Sequence, residues 1–280
     1  MAVVGIIAGS GQFPFLVARG ARQQGHTVVA VGFTGNTDPS LQEECVAFTM
    51  IALGQVGALV HFLKKNNVEK VCMAGAISKP RALSLKPDFR AAKLMFKLAG
   101  KHGDDAILRV VAEELASEGL EVVRPEVLVP SLIEVPSGLL AGPEPSAQTW
   151  GDIAFGYEKA KVLGACDIGQ CVAVHRGVVV AVEAIEGTDA LIERAGSLST
   201  EALTLVKVVK PHQDERLDRP SVGSNTLDMM AKNNFACLAF EAGKTLFFDR
   251  EQSLANAARY GISIVALPDD PASYLAHKNR

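Results

Sequence analysis

The chain has 280 residues, 48% of them hydrophobic and 21% charged, enough apolar material for one large or two modest packed domains and too much for a disordered chain. Its 28 Lys and Arg against 31 Asp and Glu give a net charge of −3, which argues against nucleic-acid binding by phosphate neutralisation. Mean hydropathy is +0.19, yet no apolar run reaches the ~18–20 residues of a spanning helix. Met1–Gly9 is apolar but lacks a charged leader and a cleavage site, so a cytoplasmic protein is expected.

In chain order, Val3–Ala8 is a short apolar run ending in Gly9-Ser10-Gly11, and Pro14 then opens a helical pattern that runs to Gln24 and stops at Gly25. Thr27–Phe33 is a second apolar run. Strand, glycine turn, helix, strand is the opening of a parallel α/β domain. A helix is expected over Gln55–Asn66, a buried strand over Val68–Ala74, helices over Asp88–Gly100 and Asp105–Ser117, and a strand over Leu120–Val123. Pro125–Pro145 carries five prolines and reads as a connector. Beyond it a helix is expected near Ile153–Leu163, strands at Gln170–Val174, Val178–Ala184 and Leu203–Val209, then a helix at Gln252–Tyr260 and a strand at Ile262–Leu267. The fold class is therefore α/β in two domains: a Rossmann-like N-terminal domain over 1–132, a Pro-rich linker over 133–146 and a distinct C-terminal α/β catalytic domain over 147–280. The cysteines are odd in number and form no C-x-x-C, so buried reduced thiols are expected rather than disulfides or a zinc site.

Six segments carry residue types suited to chemistry. Gly9-Ser10-Gly11 precedes a helix, where free N–H groups and the positive helix end stabilise phosphate. The G-x-G-x-x-G fingerprint is incomplete, because Pro14 stands at the third glycine, and no acid closes the second strand. Gly75-Ala76-Ile77-Ser78-Lys79-Pro80-Arg81 lies at the carboxyl end of a parallel strand, the ligand side of open α/β sheets. Asp104 and Asp105 open a helix; they serve as caps or hold Mg²⁺ or a sugar hydroxyl. Asp167-Ile168-Gly169-Gln170 enters a strand. Glu183 to Asp189 leaves one, and Glu183 at the end of a buried strand requires a partner or a metal. Thr188 and Asp189 suit the start of the helix that follows. The densest segment, Lys207–Pro220, mixes carboxylates that suit Mg²⁺ with Lys and Arg that suit phosphate oxygens. No Ser–His or Cys–His nucleophile arrangement and no His-rich metal motif accompanies them.

Taken in order, Gly5-Ile-Ile-Ala-Gly-Ser-Gly11, Gly75-Ala-Ile-Ser-Lys-Pro-Arg81, Gly103-Asp-Asp105, Asp167-Ile-Gly-Gln170, Ala181-Val-Glu-Ala-Ile-Glu-Gly-Thr-Asp189, Lys210-Pro-His-Gln-Asp214 and Arg216-Leu-Asp-Arg-Pro220 resemble the LpxI family, UDP-2,3-diacylglucosamine pyrophosphatases of lipid A biosynthesis. The resemblance implies Mg²⁺-dependent hydrolysis to UMP and 2,3-diacylglucosamine 1-phosphate (lipid X), a crevice between the domains and a homodimer. It implies Asp218 as the leading catalytic and metal-binding carboxylate, with Asp214 and Glu186 as further catalytic groups and Asp189 as a second metal ligand. Substrate contacts are implied for Gly9, Ser10, Gly11, Gly75, Ser78, Lys79, Asp104, Asp105, Gln170, Thr188 and Lys210. Arg219 departs from the family pattern, where Leu is expected, and sets a charge beside Asp218. The partner is then a glycolipid nucleotide and not a nucleic acid. Net charge offers no pull toward anionic lipid, so only weak peripheral contact with the inner face of the inner membrane is expected. Two rivals are an NAD(P)-dependent enzyme, suggested by the first βα turn, and a non-catalytic sugar-nucleotide or lipid-binding module.

Overall fold

The computed structural model describes residues 1–77, 87–98, 104–211 and 214–278, with Asp104 and Asp105 described by their backbone alone. The chain forms two units. The first is Met1–Pro130 together with Asp214–Asp218, the second Ser131–Gln213 with Arg219–Arg280.

Unit one is built on five parallel strands: β1 (Val3–Ala8), β2 (Thr27–Phe33), β3 (Ala47–Ile51), β4 (Lys70–Ala74) and β5 (Glu121–Val122), in the order β3-β2-β1-β4-β5. This is the Rossmann order, and its direction reverses between β1 and β4. The helices are α1 (Phe13–Gln23), α2 (Val56–Lys65), α3 (Phe89–Lys97) and α4 (Asp104–Ser117). Alternate side chains of the central strands feed opposite faces: Val4, Ile6 and Ala8 pack with Val17, Ala18 and Ala21 of α1, while Ile7, Val29 and Val31 pack with Leu59 and Leu63 of α2 and Leu115 of α4. Both faces are thus covered, which is why these strands read as near-continuous apolar runs. Pro14 sits in the first turn of α1, and the Asp88 carboxylate caps α3 by accepting the Ala91 N–H at 2.8 Å. Leu217 is buried in this same core, which anchors the returning 214–218 segment to unit one.

Unit two carries a six-stranded mixed sheet in the order β6-β13-β11-β9-β7-β8, made of β6 (Gly138–Ala141), β7 (Cys171–His175), β8 (Val178–Val182), β9 (Leu203–Lys207), β11 (Phe235–Glu241) and β13 (Ser263–Leu267). A separate short pair joins β10 (Ser221–Val222) and β12 (Leu246–Phe247). Strands β9, β11 and β13 run parallel, and β6 and β7 are antiparallel to their neighbours. One face packs under α6 (Thr188–Leu198), α7 (Ser224–Lys232) and α8 (Arg250–Tyr260), the other under α5 (Ala147–Ala165) and α9 (Pro271–Lys278). The register sets Cys171 opposite Lys207, Lys207 opposite Phe240, and Glu241 opposite Leu267. The ends of β8, β9, β11 and β13 and the start of β7 therefore share one edge of the sheet.

Several elements differ from expectation. The strands β3 and β11 and the helix α9 were not expected. The Pro-rich stretch read as a linker supplies the edge strand β6, paired with β13, and buries Val135 in the unit-two core. Helix α5 starts six residues before the expected Ile153, because Ser146 caps it by accepting the Thr149 N–H at 3.1 Å.

Candidate functional site

In unit one the switch between β1 and β4 brings two glycine loops together. Gly9 N–H donates to the Ala74 carbonyl at 2.7 Å, and Ser10 donates to the Ala76 carbonyl through both its N–H (2.7 Å) and its hydroxyl (3.0 Å). Asn36, from the loop after β2, donates to the same carbonyl at 3.0 Å. This approach requires glycine: a Cβ on Gly9 would lie 2.4 Å from the Ala76 oxygen, and one on Gly75 2.5 Å from the Ser10 oxygen. No side chain caps the start of α1 and no acid occupies its first turn, so the helix end is suited to an anion. Gly9, Ser10, Gly11 and Gly75 are thus placed together at the carboxyl ends of β1 and β4. Ser78 and Lys79 lie outside the described residues, as do the side chains of Asp104 and Asp105.

The 214–218 segment, expected in the C-terminal domain, packs with unit one. Asp214 accepts two hydrogen bonds from the Arg216 guanidinium, at 3.0 and 2.7 Å, and one from the Arg216 N–H at 3.1 Å. Arg216 holds its carboxyl below the ordinary aspartate range; partial burial opposes this, and the charge of Arg109 on α4 adds to it. These residues, with Ala112, Glu113 and Ala116 of α4, line an open pocket of about 380 Å³. Asp218 donates its N–H to the Asp214 carbonyl at 3.2 Å and exposes its side chain to solvent. Arg219 turns into unit two, where it is buried and donates to the Lys244 carbonyl at 3.0 Å.

In unit two the shared sheet edge holds a compact polar network. Glu183 and Lys207 are only 7% and 6% exposed, so each must find partners in the protein. The Thr188 hydroxyl donates to Glu183 Oε1 at 2.7 Å and accepts from Lys207 Nζ at 2.9 Å. Lys207 also donates to the Ser221 carbonyl at 2.8 Å, and Gln170 N–H donates to Glu183 Oε2 at 3.2 Å. Thr188 therefore links anion to cation instead of capping α6. Gly169 permits the close pass of Glu183, whose carbonyl oxygen would lie 2.1 Å from an added Cβ. The side-chain Oε1 of Gln170 is buried without a hydrogen-bond partner among the described residues. The network joins Gln170 and Thr188, both expected at the substrate, with Glu183, which was expected to need a partner, and Lys207, the first residue of the charged 207–220 run.

The other expected groups are engaged elsewhere. Glu186 pairs with Arg194 at 2.6 Å and accepts the Ala184 N–H, and its carboxyl is held low, first by its own N–H and then by Arg194. Asp189 accepts from Asn225 Nδ2 at 3.2 Å. Lys210 donates to Asp167 at 2.7 Å. One further pair was missed: Glu241, 1% exposed at the end of β11, accepts from Lys161 Nζ at 2.8 Å and from the Val209 N–H at 2.7 Å, which ties down the exit of β9.

Set beside known proteins, residues 3–132 match the model of the LpxI N-terminal domain and residues 136–265 that of the LpxI C-terminal domain. The chain belongs to the LpxI family. It is 33% identical over 278 residues to the UDP-2,3-diacylglucosamine pyrophosphatase LpxI of Caulobacter vibrioides, across 95% of this chain and 98% of that protein. Solved structures are more distant. An N5-carboxyaminoimidazole synthetase from Staphylococcus aureus complexed with ADP shares 14% identity at a TM-score of 0.28, over 62% of this chain and 32% of that one. A biotin carboxylase complex from Campylobacter jejuni shares 12% at 0.28, over 70% and 41%. At those TM-scores neither informs on fold or ligand.

Among the described residues no group of three or more His, Cys, Asp or Glu could hold a metal. Magnesium needs no such cage, since one or two carboxylates with waters and substrate phosphates suffice. Asp218, a carboxylate at the surface, is of the type that suits this role; Asp214 has both oxygens on Arg216. All five cysteines are free thiols. Burial pushes Cys72 and Cys237 up to about 12 and raises Cys171 as well, so none of these is a nucleophile at neutral pH.

Proposed function

We propose that this chain hydrolyses the pyrophosphate bond of UDP-2,3-diacylglucosamine, releasing UMP and 2,3-diacylglucosamine 1-phosphate, with Mg²⁺ as cofactor. The observation that carries the reading is the family match along nearly the whole chain, with a relative named for that pyrophosphatase. The geometry supports it with groups of the kind the reaction needs. A diphosphate diester bears two negative charges, and its hydrolysis builds charge on the departing phosphate. The uncapped start of α1, bordered by Gly9, Ser10 and Gly11, offers N–H donors to phosphate oxygens. Lys207 has two of its three N–H donors partnered among the described residues, which leaves one for an anionic oxygen. The buried Gln170 Oε1 suits a sugar hydroxyl, which would give it the donor it lacks.

Asp218, with Asp189 as a second candidate, would hold the magnesium ion. When bound, that ion supplies charge neutralisation to the diphosphate. In this reading the attacking group is water, oriented at the diphosphate. Asp218 is the carboxylate this reading assigns to orient it, and Asp214 and Glu186, paired with Arg216 and Arg194, hold their loops in shape. Asp218→Ala should lower turnover by at least ~10²-fold while circular dichroism and melting temperature stay at the wild-type values. Near-normal UMP release from that variant would refute the role.

A further inference from the structure

At the edge of the unit-two sheet opposite Glu183 and Lys207 lies a second cavity, of about 290 Å³. Gln148 and Asp152 from the first two turns of α5 line it, with His175 and Arg176 at the β7–β8 turn, Glu201 ahead of β9 and Thr204 on β9. Two of these side chains are buried and incompletely satisfied. Thr204 is 4% exposed, on the face of β9 that it shares with Val206 under α5, and its hydroxyl has no hydrogen-bond partner among the described residues. A hydroxyl taken out of water without a partner is costly. Asp152 is equally buried, at 4%. It accepts from the Gly177 N–H at 2.7 Å, the Arg176 N–H at 3.0 Å and Gln148 Nε2 at 3.3 Å. These bonds hold the turn, where Arg176 and Gly177 both have positive φ. They come from neutral N–H groups, and no cation pairs with the Asp152 carboxylate among the described residues. Its negative charge is therefore uncompensated where water is largely excluded.

The remaining charges in the cavity select the ligand. Glu201 engages both basic side chains, His175 Nε2 at 3.2 Å and Arg176 Nη2 at 3.3 Å, and His175 Nδ1–H donates to the Ala202 carbonyl at 2.9 Å. Neither base is left for Asp152. The start of α5 is capped by Ser146, and Asp152 follows within two turns, so an anion is disfavoured there. A volume of this order holds a small molecule, more than a bare ion, and no group of three or more His, Cys, Asp or Glu among the described residues could hold a metal. We infer that this cavity binds a small organic ammonium ion, with N–H donors to the Asp152 carboxylate and the Thr204 hydroxyl and carbon atoms against Ala202 and Ala236. One ammonium supplies both the missing positive charge and the missing hydrogen-bond partner. None of these residues is assigned to the proposed hydrolysis, so the site stands whether or not that reading does.

Isothermal titration calorimetry of the full chain at constant ionic strength tests the site, with ethanolamine and putrescine as probes. At least one should bind saturably, one molecule per chain. Ethylene glycol, which replaces the ammonium of ethanolamine by a neutral hydroxyl, and acetate, which reverses the charge, should not bind. Thr204→Val keeps the side-chain shape and should weaken amine binding by about tenfold or more. Its melting temperature without ligand should equal or exceed that of wild type, because the hydroxyl it removes bonds to nothing in the free protein. Asp152→Asn keeps the size and removes the charge, and should abolish binding. Circular dichroism shows whether that variant keeps its fold; Thr204→Val tests the site in either case. Wild-type protein that binds neither amine at millimolar concentration, or that binds ethylene glycol or acetate as well as the amines, would overturn the inference. So would a Thr204→Val variant with wild-type affinity.

Discussion

Thr188 stands between a buried carboxylate and a buried ammonium, and its hydroxyl is the only link the structure shows between Glu183 and Lys207 among the described residues. Thr188→Val keeps the shape and removes both hydrogen bonds. Turnover should fall at least tenfold and Thr188→Ser should restore it, as steady-state rates of UMP release would show. Asp214 sets a second expectation. Arg216 lowers its folded pKa below the ordinary 3.8, so its contribution to stability is complete above that value and is lost as pH falls through the lowered folded pKa. Asp214→Asn should therefore melt below wild type at pH 7, and the difference should shrink as pH falls through the lowered folded pKa. Glu241 is a third case. Glu241→Ala strands the Lys161 ammonium and the Val209 N–H, and should cost about 3 kcal/mol in urea unfolding. The sequence raised the question of a partner for Glu183 but could not name Thr188, because the pairing depends on a hydroxyl turning away from the α6 cap it could have made.

Among the elements, β1 and β2 were legible to the residue, since strands buried on both faces are bounded by turn glycines and polar residues. The edge strand β3 was not, because it is half-buried and short and carries Thr49 within a weak apolar run. Nor was β11, whose six apolar residues before Glu241 fit helix and strand periodicity equally well. The glycine turn at Gly9 was legible as a motif. Its partner across the switch point was legible only as a loop at a strand end, because the sequence does not set β1 beside β4. Gly9→Ala would drive a Cβ into the Gly75 and Ala76 backbone, which has no rotamer to yield. It should destabilise unit one by about 1–3 kcal/mol in denaturant unfolding and raise KM for the nucleotide substrate. Wild-type KM in Gly9→Ala would detach this turn from phosphate binding.

For the whole molecule, the order of elements and the Pro-rich break foretold two α/β units, but not that Asp214–Asp218 would return to the first. The buried anchor Leu217 lies within a charged run, and its partners, from Ile7 to Leu115, are more than a hundred positions away. Each such gap has one cause: long-range proximity is not written in local pattern. The functional reading rests instead on the family match and on groups suited to a diphosphate. The most direct measurement is phosphorus NMR with mass spectrometry of the products formed by the purified full chain from UDP-2,3-diacylglucosamine, with and without Mg²⁺. The expected result is UMP and 2,3-diacylglucosamine 1-phosphate in equal amounts, formed only with the metal ion present; intact substrate after prolonged incubation with Mg²⁺ would contradict it.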